Sequence, residues 1–439
     1  MHTHPGRGLN PAEAVDLLTE ARARTLLLVA PIESGDLIRQ HDPLMSPIVW
    51  DLGHIAHFEE VWLVESFERG PDGSEGLRGI YNPFENPRAV RDRLPLPDPP
   101  AALAYMAEVR ARALVNVMRM DPGAPDPLSR DSFAVRLVLQ HEYQHGETIL
   151  QTLQLKQGTP YRAPRAFHHP DPVLDVDGEA MVRVPGGVYP IGTDDRSQAY
   201  DNERPAFEVE LPPYRIDRAP VSNARFLRFV DEGGYEREEF WSAEGVAWLR
   251  EAGARAPKHW ERRGGEWWTR TFDRVAPLDP RHPVCHVCYW EAEAFARFEG
   301  KRLPTEFEWE VAAAWDPATG RTRRFPWGDE SASIVLANVD QLAFGTAPIG
   351  AYPRNVSPLG CYGMIGDVWE WTSSPFEGYP GFTAFPYPEY SEVFFGNEYR
   401  VLRGGSWATR PGAVRNTFRN WDYPIRRQIF SGLRCAADD

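Results

Sequence analysis

The feature that most constrains this chain is a change of texture part-way along it. Up to about residue 157, apolar residues return at the three- and four-residue spacing of amphipathic helices. Beyond Ala180 come short strand-like runs, frequent turns and dense glycine and tryptophan, with most of the chain's 15 tryptophans. One architecture cannot bury both patterns, so the sequence predicts a multidomain protein with an α part and an α+β part. Its 439 residues suffice for two or three domains, and a 42% hydrophobic content suffices for their cores.

In the first part, Asn10 and Pro11 form an N-cap and first-turn pair, followed by Ala14, Leu17, Leu18, Ala21, Thr25 and Leu28 on one helical face. Further helices are predicted over about 47–66, over about 100–120, and from near Asp131 or Ser132 to a stop before Gly158 and Pro160. Four such helices predict an antiparallel four-helix bundle over 1–157, an architecture whose facing side chains converge in the core, where metals are often held. Residues 158–179, rich in Pro and Asp and carrying His168 and His169, read as a linker. Residues 180–439 read as an irregular α+β domain, with helices clearest at 289–298 and 306–314 and no fixed-period repeat.

Composition excludes several classes of function. The net charge is −15 with no long Lys/Arg run, so no groove tracking a nucleic-acid backbone is expected. No run approaches the 18 or so apolar residues of a membrane span. Met1 to Asn10 lacks the basic start and apolar middle of a secretory signal, so a cytoplasmic location is the default expectation. Four cysteines do not make a disulfide framework. Cys285 and Cys288 have C-x-x-C spacing, open to zinc or redox chemistry. No second C-x-x-C accompanies them, and the apolar, strand-like run 283–289 around them favours buried structural thiols.

Three histidines carry candidate chemistry. His141 and His145 lie four apart on the predicted fourth helix, on one face, and His54 lies on the second. Three neutral imidazoles on one ion leave open coordination positions. A surface pair of histidines has the same spacing, and His141-Glu-Tyr-Gln-His145 also matches the H-E-x-x-H zinc-hydrolase motif with Glu142 as general base. Against the hydrolase stand Thr148 and Gln151, where the extended motif has Gly and His, and the lack of a downstream acidic helix.

The second part carries an ordered set of segments: Val184-Pro-Gly-Gly-Val-Tyr-Pro-Ile-Gly192, Asn202-Glu-Arg-Pro205, Asp217-Arg-Ala-Pro-Val-Ser-Asn223, Lys301-Arg-Leu-Pro-Thr-Glu-Phe-Glu-Trp-Glu310, Phe325-Pro-Trp-Gly328, Gly366-Asp-Val-Trp-Glu-Trp-Thr372 and Leu402-Arg-Gly-Gly-Ser-Trp407. Together they resemble the formylglycine-generating enzyme (sulfatase-modifying factor) fold, which is C-type-lectin-like. That family's late copper-binding cysteine pair has no counterpart between Trp407 and Leu433, so formylglycine formation is not expected. Asp42-Pro-Leu-Met-Ser-Pro-Ile-Val-Trp-Asp-Leu-Gly-His54 and His141-Glu-Tyr-Gln-His-Gly-Glu-Thr148 resemble the DinB-like helical domain of the ergothioneine-pathway sulfoxide synthases (EgtB). With both halves matched, the resemblance spans nearly the whole chain.

The resemblance implies an O₂-dependent enzyme that couples hercynine (N-trimethylhistidine) to γ-glutamylcysteine and forms a sulfoxide. It implies Fe(II) on His54, His141 and His145, with His57 a bystander. Arg88 and Arg91 match a pair that holds the thiol substrate's carboxylates, a role suited to guanidinium; solvated surface arginines are the alternative. Asp422 would take that substrate's ammonium and Arg426 a carboxylate. Gln144, Tyr390, Asn420 and Trp421 match hercynine-binding positions, and an aromatic face suits a trimethylammonium. Tyr387 matches the catalytic tyrosine, which donates a proton or hydrogen atom, with Tyr379 and Tyr390 as alternatives. A selenoneine synthase using a selenosugar, or a relative using free cysteine, would share the iron and hercynine sites.

Overall fold

The computed structural model describes residues 8–68, 75–164, 167–176 and 178–439. Of the segments read above, 1–7 at the polar start and 165, 166 and 177 in the expected linker lie outside them. The chain divides into two compact units. One gathers the chain through Arg162 together with a short return segment, Asp195–Gln198; the other holds Ala163–Asp194 and Ala199–Asp439.

The first unit is built on four long helices, Pro11–Val29, Ile48–Glu59, Pro99–Val117 and Phe133–Gln154. Asn10 starts the first by a capping box: its side chain accepts from the Glu13 N–H at 2.9 Å, and Glu13 accepts from the Asn10 N–H at 3.1 Å. The first helix packs on the fourth, and the second on the third and fourth. Ala14, Leu18, Leu52, Ile55, Met106, Val109, Val138 and Ile149 are buried among them.

The predicted second helix does continue past Glu59, but through a π-helical stretch, Glu60–Glu65. Carbonyls loosened by the wider turn find side-chain donors, Ser66 Oγ to Val61 O at 2.7 Å and Asn116 Nδ2 to Leu63 O at 3.0 Å. The fourth helix starts at Phe133 because Asp131 and Ser132 take left-handed φ values of 59° and 58°. Ser132 spends its hydroxyl on Leu9 O rather than on a cap. Three short pieces not read from the sequence, Ser34–Ile38, Glu75–Tyr81 and the 3₁₀ turn Arg88–Arg93, join the long helices.

The bundle core also holds charge. Arg22 and Arg110 each reach both Glu59 and Glu142, and all four side chains are buried. Removing one member of such a network strands its partners in low dielectric, at a typical cost of about 3–5 kcal/mol.

The second unit is irregular α+β. Its central sheet orders Asn420–Asp422, Gly396–Arg403, Trp369–Phe376 and Ser431–Gly432, antiparallel except for the last pair. A second, antiparallel sheet has Tyr214–Asp217 at its centre, flanked by Met181–Val184, the first strand of the domain, and by Ala436–Asp438, the last. The expected helices form as Tyr289–Phe298 and Glu306–Ala314. Thr305 and Glu308 close a capping box on the second of these, while Glu306 and Glu310 turn inward to Arg419 and Arg403. Two further helices, Asn223–Asp231 and Ala243–Ala252, were not foreseen.

Gly366 shows why the Gly-Asp-Val-Trp-Glu-Trp run needs its glycine. Its φ is +85°, and a Cβ there would lie 2.4 Å from the Asn338 carbonyl oxygen. The run around Cys285 and Cys288 is not a strand; only Pro283 makes a bridge, and Cys288 caps the helix that follows. All four cysteines are free thiols. Among the described residues, no helix is long and apolar enough to cross a membrane.

Candidate active site

His54 on the second long helix and His141 and His145 on the fourth bring one ring nitrogen each within 4.8 Å of one another. Among the described residues this is the one cluster of three His, Cys, Asp or Glu side chains so placed to hold a metal ion. His57 is buried against the Tyr81 ring and is not part of it.

The ring orientations follow from the partners behind them. His54 Nδ1 lies 2.9 Å from the Tyr81 carbonyl oxygen, and His145 Nδ1 lies 3.1 Å from Asp51 Oδ1. Each partner accepts a hydrogen bond, so each Nδ1 carries the proton and each Nε2 turns a lone pair to the cluster. His54 Nε2 and His141 Nε2 are 3.2 Å apart. Burial, then the neighbouring His145, holds both His54 and His141 well below the usual imidazole pKa, and Arg91 acts in the same direction on His54. Neutral imidazoles with convergent lone pairs are the donor set that a divalent transition metal takes.

Packing fixes the rings further. Trp50 stacks on His54 at 4.6 Å and Phe58 on His141 at 3.7 Å. The Tyr81 carbonyl reaches His54 because Tyr81 lies flat on the helix at Gly53, where a Cβ would sit 2.0 Å from the phenol oxygen. Asp51 is almost wholly buried, and its Oδ2 has no partner among the described residues. Asp51 precedes His54 by three positions in the quoted motif; nothing in the sequence pointed to the Tyr81 carbonyl.

Glu142 has a different place from the one a zinc hydrolase requires. Its Oε1 accepts from Arg22 Nε and Thr25 Oγ1, each at 2.9 Å, and its Oε2 from Arg110 at 2.8 Å. The two arginines overcome burial and hold its pKa below the usual value. This carboxylate is a structural counter-ion, and the general-base reading of the H-E-x-x-H match is discarded on that ground.

The expected substrate residues lie on both units. On the first, Arg91 is buried with its guanidinium 3.5 Å over the Trp50 ring, donating to Asn86 O at 2.8 Å and Ser46 Oγ at 2.7 Å. Arg88 is half-buried, with Nη1 3.2 Å from Leu44 O. Gln144 is half-buried one residue before His145. On the second unit, Asn420, Trp421 and Asp422 form the edge strand of the central sheet. Asp422 Oδ1 lies 3.3 Å from Arg426 Nε. Trp421 stacks on Phe376 at 4.0 Å and meets Tyr390 edge-on at 6.3 Å.

The three tyrosines differ in setting. Tyr379 is a core residue, 3% exposed, packed on Phe207 and Phe307 with Arg419 4.2 Å over its ring. Tyr390 is buried and stacks on Tyr200 at 4.4 Å. Tyr387 is half-buried and meets Tyr390 edge-on at 6.1 Å. Burial pushes the Tyr387 phenol far above its ordinary pKa, so it stays protonated.

The sulfatase-modifying factor enzyme 1-like domain family matches residues 167–439, and the DinB superfamily matches residues 17–149. The hercynine oxygenase of Mycobacterium tuberculosis is 46% identical over 431 residues, covering 98% of this chain and 99% of that protein. The hercynine oxygenase of Mycolicibacterium thermoresistibile is 47% identical over 434 residues, covering 97% of this chain and 95% of its own length. The formylglycine-generating enzyme of Bos taurus is 32% identical over 286 residues, 59% of this chain and 74% of that one. With a helical unit that brings together three histidines able to hold a metal ion and similarity along nearly its whole length, the chain belongs to the hercynine oxygenase (EgtB) family and is an oxygen-using oxidoreductase.

Proposed function

We propose that this chain couples hercynine to γ-glutamylcysteine, using O₂ and an Fe(II) ion on His54, His141 and His145. The supporting observation is the cluster of inward-facing imidazole nitrogens in a chain 46% identical to a hercynine oxygenase over 98% of its length. The reaction balances as one thiol, one imidazole C–H and one O₂ giving one sulfoxide and one water. Carbon–sulfur bond formation removes two electrons and oxidation of sulfur two more, matching the four that O₂ accepts. When bound, iron supplies the one-electron chemistry that O₂ needs and takes the thiol as thiolate.

The chain's own residues do the rest in this reading. The three imidazoles leave positions for ligands that are not protein. Trp421 offers a π-face to hercynine's trimethylammonium, an attraction of roughly 1–2 kcal/mol, and Gln144, Asn420 and Tyr390 orient its polar groups. Arg88 and Arg91 fix carboxylates of the thiol substrate. Asp422 beside Arg426 offers one negative and one positive group 3.3 Å apart, which complements the ammonium and carboxylate of an amino acid. That pair favours an amino-acid thiol over a selenosugar. Tyr387, protonated and the least enclosed of the three tyrosines, donates a proton or hydrogen atom and so directs oxidation to carbon–sulfur coupling. Without that donation, the thiol and O₂ combine to a sulfinic acid.

The test is anaerobic Fe(II) loading, then aerobic incubation with hercynine and one donor at a time, with products identified by mass spectrometry. Hercynyl-γ-glutamylcysteine sulfoxide is the expected product. A coupled product from free cysteine or a selenosugar, and none from γ-glutamylcysteine, would overturn the donor assignment and leave the iron site standing.

A further inference from the structure

Tyr387 sits on an irregular stretch, so something other than regular secondary structure has to hold its phenol in place. The 3₁₀ turn Asp201–Glu203 does this from below. Asp201 Oδ2 accepts the Phe385 N–H at 3.1 Å, two residues before Tyr387, and its Oδ1 accepts the Ser391 hydroxyl at 2.5 Å, four residues after it. Asn202 Nδ2 donates to the same Ser391 oxygen at 3.0 Å. Tyr200, next in the chain, stacks on Tyr390.

The turn is itself anchored. Glu203 pairs with Arg415 and accepts from Thr417, and Asn202 O accepts from Arg419 at 2.7 Å, on the segment that leads into Asn420–Asp422. Asp201, Asn202, Ser391, Arg415 and Arg419 are all buried. A buried carboxylate that grips a loop on both sides of a reactive side chain restricts that side chain more than either bond alone, because the loop cannot pivot about a single point.

We infer that Asp201 is the positioning residue for Tyr387, and that its two-point grip sets how the enzyme partitions between carbon–sulfur coupling and oxidation of the thiol to sulfinate. The inference rests on the reading of the reaction given above. Asp201 acts through the loop, by its hydrogen bonds on either side of Tyr387.

The test measures sulfoxide and sulfinate yields together for the iron-loaded enzyme and its D201N, S391A and Y387F variants, alongside iron content, thermal midpoint and KM for both substrates. D201N keeps the shape but turns an N–H toward one of the two donors, and S391A releases one end of the loop with the carboxylate intact. Both are expected to move the product ratio toward sulfinate, by on the order of tenfold for D201N and less for S391A, at unchanged iron content and KM. A merely structural role would lower the thermal midpoint and both products alike and leave the ratio where it was. An unchanged ratio in D201N, while Y387F shifts it, overturns the inference. If D201N does not fold, S391A alone decides, with the same two outcomes. If Y387F leaves the ratio unchanged, the tyrosine assignment fails and this inference fails with it.

Discussion

The helical unit and the second unit hold their candidate site residues in different ways. In the first, the three clustered histidines stand on two regular helices, one ring is oriented by a backbone carbonyl and another by a buried carboxylate, and aromatic rings cover two faces. In the second, Tyr387 stands on a loop fixed by hydrogen bonds from its ends to one buried side chain. The lesson is that the first site depends on the integrity of a whole bundle, whereas the second depends on a few polar contacts that can be cut one at a time. Damage to the first should cost stability or metal, and damage to the second should alter selectivity.

The largest test of that contrast is Glu142→Ala. It strands Arg22 and Arg110 inside the bundle and should destabilise the chain by about 3–5 kcal/mol in denaturant unfolding. A stable variant that had lost only turnover would restore Glu142 as a chemical group.

Gly53→Ala comes next. The new methyl meets the Tyr81 ring, so the ring must move and carry its carbonyl away from His54. A loss of about 1–3 kcal/mol is expected, together with weaker metal binding. Undiminished metal affinity at lowered stability would separate packing from ligand orientation.

Asp51→Asn sharpens the point without disturbing volume. It removes the charge behind His145 and should weaken metal affinity about 10–100-fold in a chelator competition, with little change in unfolding of the metal-free chain. Equal affinity in variant and parent would show that the helix alone orients His145.

The smallest effect is on pH. Burial lowers His286 to about 3 and His169 to about 4, and pushes His54 and His141 well down as well. The unfolded chain takes up protons below its ordinary imidazole value of about 6.5 while these folded groups do not. Metal-free stability should therefore be flat in these groups above about pH 6.5 and fall progressively below it, read as the unfolding free energy at a series of pH values. Rising stability on acidification would contradict the buried, neutral state of these rings.

How far the sequence could be read follows from the same contrast. The four long helices and the pairing of His141 with His145 were legible because a 3.6-residue period fixes which side chains share a face. That His54 joins them came from the resemblance, since periodicity within one helix says nothing about a facing one. The π-helical stretch after Glu59, the left-handed pair Asp131 and Ser132, and the return of Asp195–Gln198 to the first unit were not legible, because each is set by tertiary partners distant in sequence. In the second unit the ordered motifs gave the fold and the helices at 289–298 and 306–314. The roles of Asp201, Glu203 and Glu306 stayed hidden, because an acidic residue reads the same in a sequence whether it faces solvent or a buried donor.

The most direct test of the account is metal stoichiometry and coordination in the parent chain and in single His54→Ala, His141→Ala and His145→Ala variants, by elemental analysis and by the electron paramagnetic resonance of the nitric oxide adduct after anaerobic Fe(II) loading. The account predicts one iron per chain in the parent, and loss of iron and of its signal in each variant while the helical content is kept. Full iron occupancy with an unchanged signal in any one of the three would contradict it.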